Sequence, residues 1–231
     1  MNTHRIFSIL SLIVASVFSL YAQTGGGVDG VTVKAQKVYS ISGDKLEVLA
    51  DNLKFPFNVE VCTNGDFKVG KGKARNLQEG QVLRRDGWLL KQDGSVEPVF
   101  DHVVMKEGAV QVVRDGQAEP LAKPMSCANG LSLVPDGSCV YPDGARTRLM
   151  DGQLFQLDGT PIAAKDTISL KNGGVVVQKE GTLIRLSPVQ IMGMNDGTRV
   201  RGDGLIQKPD GSSSQLREGQ TILIEGALVK H

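Results

Sequence analysis

The stretch Leu131-Ser-Leu-Val-Pro-Asp-Gly137-Ser-Cys-Val-Tyr-Pro-Asp-Gly144-Ala-Arg-Thr-Arg-Leu-Met-Asp-Gly152-Gln-Leu-Phe-Gln-Leu-Asp-Gly159 decides how this chain folds. With Gly130 before it, glycine recurs in steps of 7, 7, 8 and 7. The same steps separate Gly197, Gly204, Gly211, Gly219 and Gly226. Most of these glycines follow Asp, Asn or Glu, and Pro135, Pro142 and Pro209 precede three of the Asp-Gly pairs. Proline presets φ for the second position of a type I turn, Asp tolerates the third, and Gly takes the left-handed conformation that follows. Such a turn is a three-residue hairpin loop. Strands of four or five residues fit between the stops, and ordinary helices do not. Ala109-Val-Gln-Val-Val113 shows the alternation of a half-buried strand.

Outward from this stretch, the rhythm resolves into a larger repeat. Gly43, Gly108 and Gly173 stand 65 residues apart; Gly65, Gly130 and Gly197, like Gly94, Gly159 and Gly226, are spaced by 65 and 67. Cys62-Thr-Asn-Gly65 aligns with Cys127-Ala-Asn-Gly130. The copies run over 30–94, 95–159 and 160–226, after a lead-in at 23–29 and before a tail at 227–231. The predicted fold is all-β: three tandem repeats of short antiparallel strands, each a meander of hairpins with Asp-Gly turns. The copies either close singly as small barrels or rolls, or stack into an elongated sheet. The thin core available to each, with few aromatics, favours elongated stacking.

Residues 1–22 read as an export signal: His4 and Arg5, then an apolar run from Ile6 to Leu20, then Tyr21-Ala22-Gln23. Cleavage after Ala22 predicts a periplasmic or secreted chain. No lipid anchor is expected, since the first cysteine is Cys62, and no later segment is apolar enough to span a membrane as a helix. Loss of Arg5 reduces 26 basic residues to 25, matching the 25 acidic ones. A neutral chain gives no electrostatic reason to expect nucleic acid as partner.

Candidate chemistry is sparse. His102 is the one histidine between His4 and the terminal His231, and it reads as a strand residue before Val103-Val104. Cys62, Cys127 and Cys139 lack the paired spacing of zinc sites. Cys127 and Cys139 are the candidate disulfide, although a flat meander sets their strands next but one, too far apart unless the sheet folds over. Each Asp-Gly turn brings one carboxylate where a calcium loop needs several, so no metal or other cofactor is assigned. Gly65 to Lys71 imitates a phosphate loop, but Gly72 stands where Ser or Thr would hold magnesium. Arg201-Gly-Asp203 spells an adhesion tripeptide that follows the turn rhythm. Lys68, Lys71, Lys73 and Arg75 form a basic cluster that reads as a solvated edge. Trp88 is the sole tryptophan, placed against Gln153 in the second copy and read as core packing.

The export signal, the Asp-Gly-x5-Asp-Gly units and Val104-Met-Lys-Glu-Gly108 resemble a family of secreted repeat domains from Bacteroidota, classed as a domain of unknown function. The resemblance spans 30–226, best in the second and third copies; the first diverges, with Lys71-Gly72 and Glu79-Gly80 in place of Asp-Gly. It implies location and architecture and carries no catalytic residues. The chain is therefore expected to be a non-enzymatic module that contacts an unidentified macromolecule at the envelope or outside the cell, or serves as a spacer. A carboxylate-based hydrolase and a calcium-stabilised binding module are the alternatives.

Overall fold

Two kinds of hairpin loop recur in this chain, and only one is announced by the seven-residue rhythm. The structure is a computed structural model that describes residues 28–163, 165–179 and 181–225. The signal, most of the lead-in, Gly226 and the tail lie outside the described residues. In the first kind, Gly137 N donates to Val134 O at 2.9 Å and Val134 N to Ser138 O at 2.8 Å, which closes a three-residue loop over Pro135-Asp136-Gly137. Tyr141 to Ala145 and Lys208 to Ser212 close alike. The glycines of these turns are left-handed, Gly65, Gly130, Gly137, Gly144, Gly159, Gly197, Gly204 and Gly211 lying between +83° and +91° in φ. Gly152 and Gly219, at +82° and +77°, are left-handed in a different turn, closed by bonds from Gln153 N to Met150 O and from Gln220 N to Arg217 O.

The second kind is a two-residue loop with both residues left-handed: Ala35-Gln36 (φ 48° and 62°), Glu107-Gly108 (51°, 77°), Asp115-Gly116 (50°, 73°) and Asn172-Gly173 (50°, 67°). Such turns match the right-handed twist of long strands, and Asn-Gly and Asp-Gly suit them.

The first unit holds β1 (Gly30–Lys34), β2 (Lys37–Ser42), β3 (Lys45–Val48), β4 (Leu53–Phe55), β5 (Val59–Val61), β6 (Asp66–Val69), β7 (Arg75–Asn76), β8 (Val82–Arg84), β9 (Trp88–Leu90) and β10 (Val96–Pro98). The second holds β11 (His102–Lys106), β12 (Ala109–Arg114), β13 (Gln117–Pro120), β14 (Met125–Ser126), β15 (Ser132–Leu133), β16 (Ser138–Val140), β17 (Arg146–Arg148), β18 (Leu154–Phe155) and β19 (Pro161–Ile162). The third holds β20 (Lys165–Lys171), β21 (Gly174–Lys179), β22 (Thr182–Arg185), β23 (Ile191–Gly193), β24 (Arg199–Arg201), β25 (Leu205–Gln207), β26 (Ser213–Gln215) and β27 (Thr221–Glu225).

Each unit builds two antiparallel sheets. Three opening strands lead, a four-stranded meander forms the second sheet, and a return strand comes back to pair with the first strand, as in β10-β9-β8-β1-β2-β3 beside β4-β5-β6-β7. The return pairings are β1·β8, β11·β18 and β20·β27. Alternate residues of both sheets meet in a core belonging to that unit: Val31, Val61 and Phe67 in the first, Val103, Leu133 and Cys139 in the second, Ile168, Val200 and Ile206 in the third. Among the described residues no continuous sheet joins the copies and no sheet closes into a barrel; each copy packs its own two open sheets together. A unit can do this because its own meander covers the opening sheet. Gly94 and Gly159 are the turns of each unit's last hairpin rather than seams between units.

The register of the first copy is also corrected. Leu77 N donates to Gly65 O as Leu149 N does to Gly137 O and Leu216 N to Gly204 O, at 2.9, 2.8 and 2.9 Å. Gly65 thus answers to Gly137 and Gly204, not to Gly130. Glycines recur every seven residues, so an alignment slipped by one hairpin still matches glycine to glycine.

In the correct register a short motif emerges, Leu77-Gln-Glu-Gly-Gln81, Leu149-Met-Asp-Gly-Gln153 and Leu216-Arg-Glu-Gly-Gln220. Its leucine is buried in the core. Its carboxylate takes the backbone N–H groups of the opening two-residue turn: Glu79 from Ala35 (2.8 Å), Asp151 from Gly108 (3.0 Å), Glu218 from Asn172 and Gly173 (2.6 and 3.1 Å). The glutamine Oε1 accepts from the N–H of Gln78, Met150 or Arg217 at 2.9 to 3.0 Å.

These charge-assisted bonds tie the return segment to the opening hairpin. Asp151→Ala and Glu218→Ala are each expected to cost on the order of 1 kcal/mol of stability, read as a lowered urea midpoint. Unchanged midpoints in both would show that the carboxylates do not secure the turns.

Candidate functional site

The three units are joined by side chains that the repeat does not share. Gln178, on β21, accepts from Val96 N at 2.7 Å and donates to Val96 O at 2.9 Å, so its amide stands in for a neighbouring strand along the edge of β10. Thr167 Oγ1 donates to Gly94 O at 2.6 Å. Lys165 Nζ reaches Asp86 at 3.0 Å and lies 5.7 Å from the Trp88 ring centroid. Burial would raise the Asp86 carboxyl, but Arg84 and Lys165 together hold it below the usual carboxylate range.

Between the first and second units, Phe57 stacks on Phe100 at 4.5 Å between centroids. The Asp115-Gly116 turn of the second unit seats on the Gly70-Lys71-Gly72 loop, with Lys71 N donating to Asp115 Oδ1 at 2.9 Å. A Cβ on Gly72 would fall 1.9 Å from the Asp115 carbonyl oxygen, so the neighbour's backbone approach explains the glycine that the phosphate-loop comparison could not place. Trp88, Val96, Phe100 and Leu154 form a junction core, with Val104, Ile162 and Leu223 packed against it.

Beside this core opens a cleft of about 680 Å³ lined by all three units. Trp88, Val104 and Leu154 form an apolar wall. Four basic residues (Arg75, Lys91, Lys106, Lys165) and four acidic ones (Asp93, Glu97, Glu107, Asp151) line the rest, so the cleft is electrically balanced. Lys91 pairs with Glu97 at 2.5 Å. His102 is buried on the wall; its Nδ1 donates to Phe100 O at 2.6 Å, and burial pushes the imidazole below its ordinary value.

Other residues singled out from the sequence lie elsewhere. Cys62, Cys127 and Cys139 are free thiols, so the Cys127–Cys139 disulfide is absent. The order β14-β15-β16 interposes a strand between them, roughly 10 Å at the usual strand spacing and beyond disulfide reach. Nor are Cys62 and Cys127 equivalent: Cys62 opens the β5–β6 turn as Val134 opens the β15–β16 turn. Arg201 and Asp203 of the adhesion-like tripeptide pair with each other, with Arg201 Nε 2.8 Å from Asp203 Oδ2. In the basic cluster Lys68 pairs with Glu60 at 2.8 Å, while Arg75 turns inward to the cleft instead of lying on a solvated edge.

The Asp before the glycine of most three-residue turns has a use that the sequence reading missed. Its Oδ1 accepts from the residue two further on, as Asp136 does from Ser138 N (2.8 Å) and Asp158 from Thr160 N (2.8 Å). Asn129 does the same for Leu131 N at 3.0 Å. These N–H groups hold the Asp136 and Asp158 carboxyls below their usual values. Among the described residues no three His, Cys, Asp or Glu side chains gather into a metal-binding group.

The profile of a family described as a domain of unknown function (DUF6799) matches residues 100–160 and 165–228, and the chain belongs to that family. The two matches coincide with the second and third units. No curated protein and no solved structure matches the chain.

Two measurements follow from these environments. Burial pushes the Cys127 thiol up and the Cys139 thiol to about 11. A thiol reagent at pH 8 is therefore expected to label Cys62 alone until denaturant is added; three equivalents labelled at once in the native protein would contradict the burial. The turn carboxylates have folded values below their unfolded ones, so their contribution is present above about pH 4 and is lost as pH falls through that range. The double variant Asp136→Asn and Asp158→Asn keeps an acceptor oxygen, as Asn129 does. It should melt close to wild type at pH 7 and lose less of its melting temperature between pH 5 and 3. An unchanged acid slope would sink that account.

Proposed function

We propose that this chain is a non-enzymatic β-repeat module of its family, exported to the periplasm or the cell exterior, that binds a partner through the cleft where its three units meet. The observation that carries this reading is the preformed junction. Buried side chain-to-backbone bonds from Gln178 and Thr167 fix the units around a concave surface of mixed polarity, the usual character of a ligand site. The location is supported by the pattern from Arg5 to Ala22 and by the resemblance to secreted Bacteroidota repeat domains. A mature chain of balanced charge suits neither nucleic acid nor an anionic membrane, and the envelope or extracellular matrix supplies the partner.

The test is cross-linking and affinity capture with the tagged mature chain on intact cells of its native source, with and without chelator. A discrete partner is expected in both conditions. Lys106→Glu, at the exposed cleft rim, should reduce its recovery several-fold. A partner retained equally by that variant would move binding off the cleft. A saturable hydrolytic activity abolished by one carboxylate substitution would overturn the non-enzymatic reading.

A further inference from the structure

Arg75 is the one member of the basic cluster that faces the cleft, and its guanidinium is left with work undone. It lies on β7 with its Cζ 4.6 Å from the Phe67 ring centroid. Across the seam between units, the Gly116 turn passes so closely that a Cβ there would sit 3.4 Å from Arg75 Nη2. That Nη2 is enclosed at the seam and has no hydrogen-bond partner, while the rest of the half-buried side chain lines the cleft. Buried donors are almost always satisfied, and a guanidinium presents paired N–H groups matched to an oxyanion. The nearest acidic influence, Glu97, is held by Lys91 at 2.5 Å instead.

We propose that Arg75 is the anchor of a binding site for a monocarboxylate whose apolar or ring-shaped body lies in the cleft toward Trp88. The proposal rests on the reading of the cleft as a binding surface. Its chemistry favours a single negative charge: the four basic lining residues are matched by four acidic ones, so a polyanion would meet no net positive field to repay its desolvation. The apolar wall of Trp88, Val104 and Leu154 suits a body without further charge. A free small acid and the acidic end of a larger chain share this chemistry.

Trp88 is the sole tryptophan, so its fluorescence reports on this cleft. The full chain is titrated at low salt and pH 7 with phenylacetate, with phenylacetamide as its uncharged isostere and phenyl phosphate as the dianion. Phenylacetate is expected to give a saturable change, phenylacetamide none, and phenyl phosphate weaker binding. Arg75→Gln should weaken phenylacetate at least tenfold and Arg75→Lys should restore part of the loss, both at unchanged melting temperature. If Arg75→Gln unfolds, Glu97→Gln decides: removal of that carboxylate should tighten phenylacetate binding, and unchanged or weaker binding counts against the site. Equal binding of phenylacetate and phenylacetamide overturns the carboxylate assignment while the binding-module reading stands. No saturable change with any probe also overturns the proposal, and cell-surface capture then judges the function separately. For the source of the acid, phenylacetate that competes with the captured partner indicates a chain end; no competition indicates a free acid.

Discussion

A carboxylate that reaches back more than forty residues ties the return segment of each unit to its opening hairpin. Glu79, Asp151 and Glu218 lie 44, 43 and 46 residues after the turn amides they accept from. Without them the opening hairpin would expose left-handed amides to water and the return strand would lack a fixed end. With them, the chain closes before the next unit begins. Short strands form weak sheets, and closure within a unit is what lets strands of two to seven residues survive. The leucine before each carboxylate and the glutamine after its glycine serve the same closure, one in the core and one on the local turn.

Closed units leave the manner of their association open. Three self-contained cores carry no obligation to meet, since each has covered its own apolar faces. The association is made by polar groups used as substitutes for strands and by a small aromatic core. Gln178 occupies the edge of β10, which would otherwise offer its unpaired amide and carbonyl to another chain. Because the fit depends on buried hydrogen bonds with strict geometry, it fixes the orientation of the units more narrowly than an apolar contact would.

The glycine rhythm made the hairpins legible, and Pro135-Asp136-Gly137 even declared its turn type. It also misled. A period of seven residues is indifferent to a slip of seven, so Cys62 was matched with Cys127, and Trp88 with Gln153, when the pairing pattern sets Cys62 with Val134 and Trp88 with Thr160. The two-residue turns were legible in principle at Asn172-Gly173 and Asp115-Gly116, but Ala35-Gln36 carries no such signature. The cleft had no local signal at all. Arg75 read as one lysine-like charge among four, and only the seating of the Asp115 turn on Gly70-Lys71-Gly72 shows why it points inward.

The division of labour between repeated and unrepeated residues gives the cleft its interest. Val31, Val103 and Ile168 occupy one position of the repeat and all are fully buried; they build units. Gln178 holds the position of Val113 and Ile41, since the three pair with Thr167, His102 and Gly30 respectively. Arg75, opposite Phe67, holds the place of Thr147 opposite Cys139 and of Ser214 opposite Ile206. At each of these positions the other copies carry a residue that would serve an isolated unit adequately. The departures gather on one side, where the units meet, and they include both the amide that locks the junction and the guanidinium that is left unsatisfied within it. Folding a single unit gives no reason for either. Joining the units accounts for Gln178, and it leaves Arg75 with a buried guanidinium nitrogen that no described group of the protein satisfies.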